Sequence, residues 1–370
     1  MALDFDFSFW QHPLIPADQL IPALGWEAWF VWGVVAIYGA CIGSFLNVVA
    51  LRQLKDEEFV KKPSYCFHCH TPLKWYHNIP IFSWLLLGGK CGYCGASLSV
   101  QYPLIELASL LLALLTVGLF GIGWHTLFLF FLVGCAVVML ITDVREKLIF
   151  VQNSLWLIPA GLLMHALGVL PTEVTWLAWQ APWAATGLHD FFNASFYSAL
   201  AGVLGVFIVF EGLILLTRLL VGQDGFGHGD TLILMGFAAY LGWEWTLLTL
   251  VLGMALQCIV YLPIMIGQWC RQHQWTLLAW FGGAILAGVL PSVGYYTQLL
   301  SPTVFTLTSF IALPLSVFGL FKFVHLSKQG GTLTAVPFGP ALIVAGLGCL
   351  FFGNSHLRWW LLELKNLLGY

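Results

Sequence analysis

Four cysteines lie in two closely spaced pairs within the one sizeable polar stretch of the 370-residue chain. Cys66 and Cys69 form the first pair, and Cys91 and Cys94 form the second. With this spacing, each pair can present two thiolates from a single turn to one tetrahedral Zn²⁺. The pattern therefore predicts a zinc site with four cysteine ligands, and two disulfide bonds or four incidental cysteines are the alternatives that it leaves open.

Two aspartates offer a second kind of chemistry. Asp143 ends one apolar stretch, and Asp230 begins another, directly after a glycine-rich sequence. If their carboxyl groups meet, they share a proton, so that one can deprotonate a water while the other protonates the leaving group. That arrangement is typical of an aspartic protease. The structural alternative is a helix N-cap for Asp230 and an interfacial anchor for Asp143.

The composition places these residues in a membrane protein. The chain is 60% hydrophobic and only 8% charged, whereas soluble domains carry about 25% charged residues. It is therefore predicted to be an all-α polytopic membrane protein with about ten transmembrane helices and a small zinc-ribbon-like cytoplasmic loop. The net charge of −3 argues against a nucleic-acid partner and leaves the lipid bilayer as the expected surroundings.

Apolar runs long enough to cross the bilayer recur with short breaks. The predicted spans lie near 28–51, 103–122, 125–143, 148–170, 194–221, 245–267, 275–298, 303–326 and 333–353. One further apolar segment, 231–243, is short by this standard. It is expected to begin below the membrane surface, where protein or a wet cavity covers it.

The distribution of lysine and arginine predicts the orientation. Of the 14 basic residues, 12 fall on one side of the predicted spans, and six of these are in the loop after the first span. Because cytoplasmic loops are enriched in Lys and Arg, the cysteine loop is expected to be cytoplasmic and the N-terminus periplasmic. Asp143 and Asp230 then both lie at the cytoplasmic boundary, where they can converge.

Several unusual motifs follow one another in order between residues 40 and 340. They are Gly43-Ser-Phe-Leu-Asn-Val-Val with Arg52, Pro63-Ser-Tyr-Cys-Phe-His-Cys69, Trp75-Tyr-His-Asn-Ile-Pro, Lys90-Cys-Gly-Tyr-Cys-Gly-Ala, Tyr102-Pro-Leu-Ile-Glu106-Leu, Gly225-Phe-Gly-His-Gly-Asp230 and Pro337-Phe-Gly-Pro340. With the surroundings of Asp143, they resemble the bacterial type IV prepilin peptidase family.

The resemblance implies an aspartic endopeptidase of the bacterial inner membrane whose catalytic pair is Asp143 and Asp230. Similar enzymes cut the basic leader from prepilins and pseudopilins at the cytoplasmic face. Members with the cysteine loop also N-methylate the new N-terminus with S-adenosylmethionine. The alternatives are a non-catalytic member of the family and a membrane transporter with a metal-binding loop.

Other residues of these motifs are candidates for binding the substrate or the methyl donor: Glu106, Asn47, Arg52, Gly227 and Gly229. An interior hydrogen-bond partner is the alternative role for Glu106, and a bond between helices is the alternative for Asn47. The glycines allow positive φ and close backbone approach, which is expected to let an extended substrate lie beside the site.

The chain also departs from the family pattern. A proline-containing element usually follows the first aspartate, and here Phe150-Val-Gln-Asn153 stands in its place. Leu232 stands where the family has a lysine after the second aspartate. Glu211 lies mid-span and is expected to be a buried, protonated acid.

The predicted domains follow from these assignments. They are the outward N-terminus and first span (1–51), the cysteine loop (52–102), the membrane catalytic core (103–267), two inserted spans (268–331), and the last span with the tail (332–370).

Overall fold

The structure is a computed structural model of the chain. It describes residues 26–58, 63–169, 194–221, 227–271, 275–276, 279–280, 282–283, 286 and 338–352. Within these residues it is mostly helical and contains no β-strand, only two isolated bridges in the cysteine loop. The predicted all-α class is therefore confirmed for the described part of the chain.

Most helices of the described residues are long and apolar. In chain order they are α1 (Trp26–Gln53), α2 (Phe82–Leu86), α3 (Gln101–Phe120), α4 (Trp124–Glu146), α5 (Val151–Leu155), α6 (Leu157–Ala166), α7 (Ala194–Val221), α8 (His228–Arg271) and α9 (Gly339–Phe352). A 3₁₀ turn, Trp75–Asn78, precedes α2 in the cysteine loop.

Four helices of the described residues are long and apolar enough to cross a bilayer. The segments are Trp29–Gln53, Gln101–Phe120, Trp124–Glu146 and Phe196–Leu219. They coincide with the predicted spans near 28–51, 103–122, 125–143 and 194–221, so the chain is a membrane protein. The total of about ten spans stays a prediction, because 275–298 and 303–326 lie almost wholly outside the described residues.

The predicted span near 148–170 is not a single helix in the structure. The structure has two short helices there, α5 and α6, which meet at Trp156. Pro159 lies in the first turn of α6, and it has no N–H to donate to the carbonyl of Leu155. The proline therefore interrupts the hydrogen-bond ladder that would join the two helices.

Helix α8 contains the break that was expected between 231–243 and 245–267. Gly242 has a φ of 78° and a ψ of 173°, which is not a helical conformation. A positive φ of this kind is accessible to glycine at little cost. The short segment that follows Asp230 is therefore separate in direction from the remainder of α8.

The helices that carry the two aspartates share one buried core. Leu132 and Met139 of α4 pack in this core with Leu157 of α6, Ile233 of α8 and Leu342 of α9. All five side chains are fully buried. Burial of this apolar surface fixes the ends of α4, α8 and α9 relative to one another.

The chain divides into two compact units, Met1–Met254 with Pro337–Tyr370, and Ala255–Val336. The predicted functional residues all belong to the first unit. The five predicted domains stay predictions, because residues 1–25 and most of 268–337 lie outside the described part of the chain.

Candidate active site and cysteine cluster

Asp143 lies in the last turn of α4 and is almost completely buried. Only 3% of its surface is exposed, and its Oδ2 has no hydrogen-bond partner among the described residues. The backbone carbonyl of Asp143 accepts a 2.9 Å bond from the N–H of Lys147, which ends the helix in the left-handed conformation. The Lys147 side chain also interacts electrostatically with the aspartate.

Asp230 lies in the first turn of α8 and is partly buried. Its backbone N–H donates to the carbonyl of Gly227 at 3.0 Å, which begins the helix. Gly229 packs against Ile149, since a Cβ at this position would lie 2.8 Å from the Ile149 Cδ1. Neither Gly227 nor Gly229 has a positive φ, and a role for them in substrate binding stays a prediction.

Packing of α4, α8 and α9 brings Asp143 and Asp230 to the same part of the molecule. Asp143 exerts an electrostatic effect on Asp230, although the residues belong to different helices. Gly339, the first residue of α9, lies against both helices: a Cβ there would contact Asp143 Oδ2 and lie 3.2 Å from Ile233 Cδ1. Ile233 is one turn beyond Asp230, so the ends of α4, α8 and α9 meet at this point. The N-terminus of α9 also provides a favourable field for a carboxylate.

The four predicted zinc ligands form a compact cluster in the cysteine loop. The Sγ atoms of Cys66, Cys69, Cys91 and Cys94 all lie within 4.8 Å of one another. The cysteines are free thiols, so two disulfides do not form here. The loop therefore brings together four sulfur donors of the kind that Zn²⁺ prefers.

Both cysteine pairs adopt the same turn. The N–H of His70 donates to the carbonyl of Cys66 at 2.8 Å, and the N–H of Gly95 donates to the carbonyl of Cys91 at 2.9 Å. Backbone N–H groups of Cys94 and Tyr93 hold the pKa of the Cys91 thiol below its usual range. Such turns favour the thiolate, which is the form that binds a metal.

Hydrogen bonds to Thr71 act in the same direction at Cys69. The hydroxyl and the backbone N–H of Thr71 lower the pKa of the Cys69 thiol to about 6. Its Sγ lies 3.3 Å from the Thr71 Oγ1. A thiolate is therefore accessible at Cys69 at neutral pH.

Glu106 and Arg52 anchor the cysteine loop on the helices that flank it. Glu106 is 6% exposed, and its Oε2 accepts a 2.7 Å hydrogen bond from the N–H of Ile81, a residue with a φ of 63°. Arg52 is 2% exposed and donates to the carbonyl of Pro63 at 2.8 Å and to that of Glu58 at 3.3 Å. Glu106 therefore acts as an interior hydrogen-bond partner, which was its alternative role.

Asn47 bonds between helices, which was its alternative role. Its Oδ1 accepts a 3.2 Å hydrogen bond from the Nε2 of Gln101 at the start of α3. The Oε1 of Gln101 in turn accepts a 2.8 Å bond from the Nε of Arg145. Arg145 is two residues beyond Asp143, so these hydrogen bonds connect α1 and α3 to the end of α4. The sequence analysis did not anticipate Gln101 or Arg145.

A second connection joins α1 to the segment that follows Asp143. The side-chain amides of Gln53 and Asn153 exchange two hydrogen bonds of 3.1 and 3.0 Å. The positions are 100 residues apart in sequence, so no local pattern points to this pair. The pair fixes α5 beside the end of α1.

We expect Asn153→Ala to lower the free energy of unfolding by about 1–3 kcal/mol, because the Gln53 amide loses both partners in a part-buried position. Gln53→Ala is expected to cost a similar amount, and the double variant should cost less than the sum of the two. Thermal unfolding of the purified protein measures the effect. Gln152→Ala, an exposed neighbour on α5, is the control and should unfold like the wild type. If the double variant loses as much stability as the two single variants together, Gln53 and Asn153 do not pair directly.

The sequence is similar to one protein family model and to several known proteins. Residues 37–120 match the family model of the bacterial peptidase A24 N-terminal domain. The prepilin leader peptidase/N-methyltransferase of Dickeya chrysanthemi is 32% identical over 56% of this chain and 74% of its own length. That of Pectobacterium carotovorum is 30% identical over 65% of this chain and 84% of its own length. This chain belongs to the prepilin leader peptidase/N-methyltransferase family.

The similarity extends over most of the protein. The prepilin leader peptidase/N-methyltransferase of Aeromonas hydrophila is 27% identical over 90% of this chain and 94% of its own length. No solved structure gives a significant match. The resemblance identified from the sequence motifs is therefore confirmed at the level of the family.

Within this prepilin peptidase family, the expected proline-containing element is replaced here by Phe150-Val-Gln-Asn153. Phe150 has an extended backbone and directly precedes α5. Asn153 makes the amide pair with Gln53 described above. This pair gives the segment after Asp143 a tertiary anchor that does not depend on a proline.

Glu211 is not the buried side chain that was expected. Its side chain is 31% exposed, and its Oε1 lies 3.0 Å from the Nδ1 of His228. His228 begins α8, two residues before Asp230. The expected burial is wrong because α7 passes the start of α8, where the Glu211 side chain lies beside His228.

Proposed function

We propose that this chain is an aspartic endopeptidase that cleaves the leader peptides of prepilins and pseudopilins and then N-methylates the new N-terminus. The observation that carries the proposal is the convergence of Asp143 and Asp230 at the meeting point of three helix ends. The family to which the chain belongs bears both activities in the names of its members. The names of the relatives favour this function over a transporter and over a non-catalytic family member.

In the proposed mechanism, the two carboxyl groups hold one proton between them. The ionised carboxylate takes a proton from a water, and that water attacks the carbonyl carbon of the scissile peptide bond. The protonated partner donates to the developing oxyanion and later to the leaving amine. Asp230 is the more accessible of the two, whereas the buried Asp143 is positioned by packing around Gly339.

The site is proposed to lie at the cytoplasmic boundary of the bacterial inner membrane, with the N-terminus in the periplasm. The basic residues concentrated in the cysteine loop support this orientation. A substrate with a basic leader and an apolar stem would keep its leader in the cytosol and its stem in the bilayer. Its scissile bond would then reach the depth of Asp143 and Asp230.

The cysteine cluster is proposed to hold one Zn²⁺ through Cys66, Cys69, Cys91 and Cys94. Four sulfur donors within 4.8 Å of one another fit the donor preference and the tetrahedral geometry of zinc. The metal would stabilise a loop that has few buried apolar side chains of its own. No catalytic step is assigned to it.

Replacing Cys66 or Cys91 with serine is expected to reduce bound zinc from about one ion per chain to less than about a fifth of that value, because one thiolate of the cluster is lost. Elemental analysis of the purified protein measures the change. Cys41→Ser alters an exposed cysteine of α1 and should leave zinc unchanged. A wild-type protein that is folded and free of metal would contradict the zinc proposal.

The methyl donor is proposed to be S-adenosylmethionine, as the N-methyltransferase name implies. Processing of a purified prepilin with and without S-adenosylmethionine tests the complete proposal. We expect leader removal in both reactions, and a mass increase of one methyl group only when the donor is present. Absence of leader removal would refute the peptidase proposal, and absence of the mass increase would refute methylation.

A further inference from the structure

A cavity lies between the cysteine loop and the two helices that flank it, and we refer to it as the loop cavity. Its volume is about 110 Å³. Ser44 and Arg52 of α1 contribute to its wall, as do Tyr102 and Glu106 of α3, and the loop supplies the remainder. The cavity therefore exists only while the loop is folded against the helices. Its lining does not include the residues at the point where α4, α8 and α9 meet.

Glu106 places a carboxylate in the wall of this cavity. It accepts hydrogen bonds from the backbone N–H of Ile81 and the hydroxyl of Ser44, which fix its position. A carboxylate has about four acceptor sites, so these two bonds leave capacity for a cationic ligand. Holding a carboxylate in a site that is 6% exposed is costly, which is typical of a group kept for binding.

Aromatic side chains surround the same space. Tyr65, Phe67, Trp84 and Tyr102 line the cavity. Two of these rings already bind cations of the protein, since Arg52 lies 5.6 Å from the Tyr65 ring centroid and Lys55 Nζ lies 3.9 Å from that of Phe67. Rings beside a carboxylate are the surroundings that favour alkylated ammonium and related cations.

His77 gives independent evidence that the loop cavity binds a ligand. It lines the loop cavity, and its Nδ1 is buried without a hydrogen-bond partner among the described residues. A buried polar atom without a partner costs about 1–3 kcal/mol, so such atoms are rare unless something binds them. A ligand in the cavity would provide the partner.

We propose that the loop cavity binds the compact cation of the methyl-transfer reaction, with Glu106 as its counter-charge. This inference rests on the proposed N-methyltransferase function. Two groups have the required chemistry: the sulfonium of S-adenosylmethionine and the free α-ammonium of the processed peptide. A volume of about 110 Å³ accommodates such a head group but not a nucleoside, so the remainder of either ligand lies outside the cavity.

Glu106→Gln is the decisive variant, because glutamine keeps an oxygen to accept the Ile81 N–H but loses the charge. Calorimetry on the full-length protein would use four probes: S-adenosylmethionine, its neutral thioether S-adenosylhomocysteine, a peptide with a free N-terminal amine, and the same peptide N-acetylated. If the sulfonium is held, the variant binds S-adenosylmethionine at least about tenfold more weakly and the thioether equally well. If the ammonium is held, the same loss affects only the free-amine peptide.

Asp56→Asn removes an exposed carboxylate from the same end of the loop and should bind all four probes as the wild type does. His77→Ala is the second variant, expected to weaken the same probe as Glu106→Gln. Zinc content and thermal unfolding report whether each variant is folded. If Glu106→Gln does not fold, the binding measurements on His77→Ala decide whether the loop cavity holds the cation. Unchanged binding of all four probes in the folded variants would overturn the proposal.

Leader cleavage separates this inference from the proposed function. Asp56→Asn should cut a prepilin within about twofold of the wild-type rate, because this exposed residue lies outside both the carboxyl pair and the loop cavity. Absence of peptidase activity in the wild type would refute the proposed peptidase. The binding measurements do not require that activity and still test the loop cavity.

Discussion

Asp143→Asn and Asp230→Asn are each expected to reduce the rate of leader removal by about 10²–10⁴-fold. Asparagine has the size of aspartate, so packing around α4, α8 and α9 is preserved, but it can neither accept nor release the shared proton. Because Asp143 is 3% exposed and its Oδ2 lacks a partner among the described residues, removing its charge should not destabilise the fold. Cleavage of a purified prepilin, followed by mass spectrometry, measures the effect.

Glu146→Gln is the matched control for these variants. Glu146 lies in the same last turn of α4 as Asp143 but is exposed to the surroundings. We expect it to cleave at the wild-type rate. Methylation of a synthetic peptide that already lacks its leader should persist in both aspartate variants. Normal leader removal by either aspartate variant would exclude a catalytic carboxyl pair.

Gly339→Ala is expected to reduce leader removal by about 10- to 100-fold, although alanine favours a helix more than glycine does. Its added methyl group would overlap the Oδ2 of Asp143 and lie 3.2 Å from the Ile233 Cδ1. Either the aspartate or the start of α9 must move, and both movements change the distance between the two carboxyl groups. The cleavage assay on purified protein measures the loss.

Gly348→Ala provides the comparison within the same helix. A Cβ at Gly348 meets no atom within 4 Å, so this change adds a methyl group to α9 without contact. It should leave cleavage unchanged or slightly stabilise the protein. If Gly339→Ala cleaves as fast as Gly348→Ala, Asp143 does not lie against α9 in the active protein.

The sequence predicted the elements that depend on local composition. Four long apolar runs became helices of the expected length, since about 20 or more apolar residues satisfy their backbone in a membrane by forming a helix. The grouping of basic residues predicted that Asp143 and Asp230 share one boundary. The structure places Asp143 in the last turn of α4 and Asp230 in the first turn of α8, and their position at one membrane boundary stays a prediction.

Features that depend on packing were not predicted. Gly339 belonged to a quoted motif, but its role follows only from the contact of α9 with α4. The Gln53–Asn153 pair spans 100 residues, and the Glu211–His228 pair depends on how far α7 extends. The interruption at Pro159 was not predicted either, although the proline is visible in the sequence.

The reciprocal amide bonds between Gln53 and Asn153 also bear on how the protein is made. The sulfur atoms of Cys66 and Cys94 meet across only 28 residues, so the cysteine loop can close soon after it leaves the ribosome. The amide pair must wait until a further two helices have been synthesised and inserted. A nascent chain stalled before Asn153 should therefore already protect its cysteines from alkylation, while the Gln53 side chain at the end of α1 still lacks its amide partner.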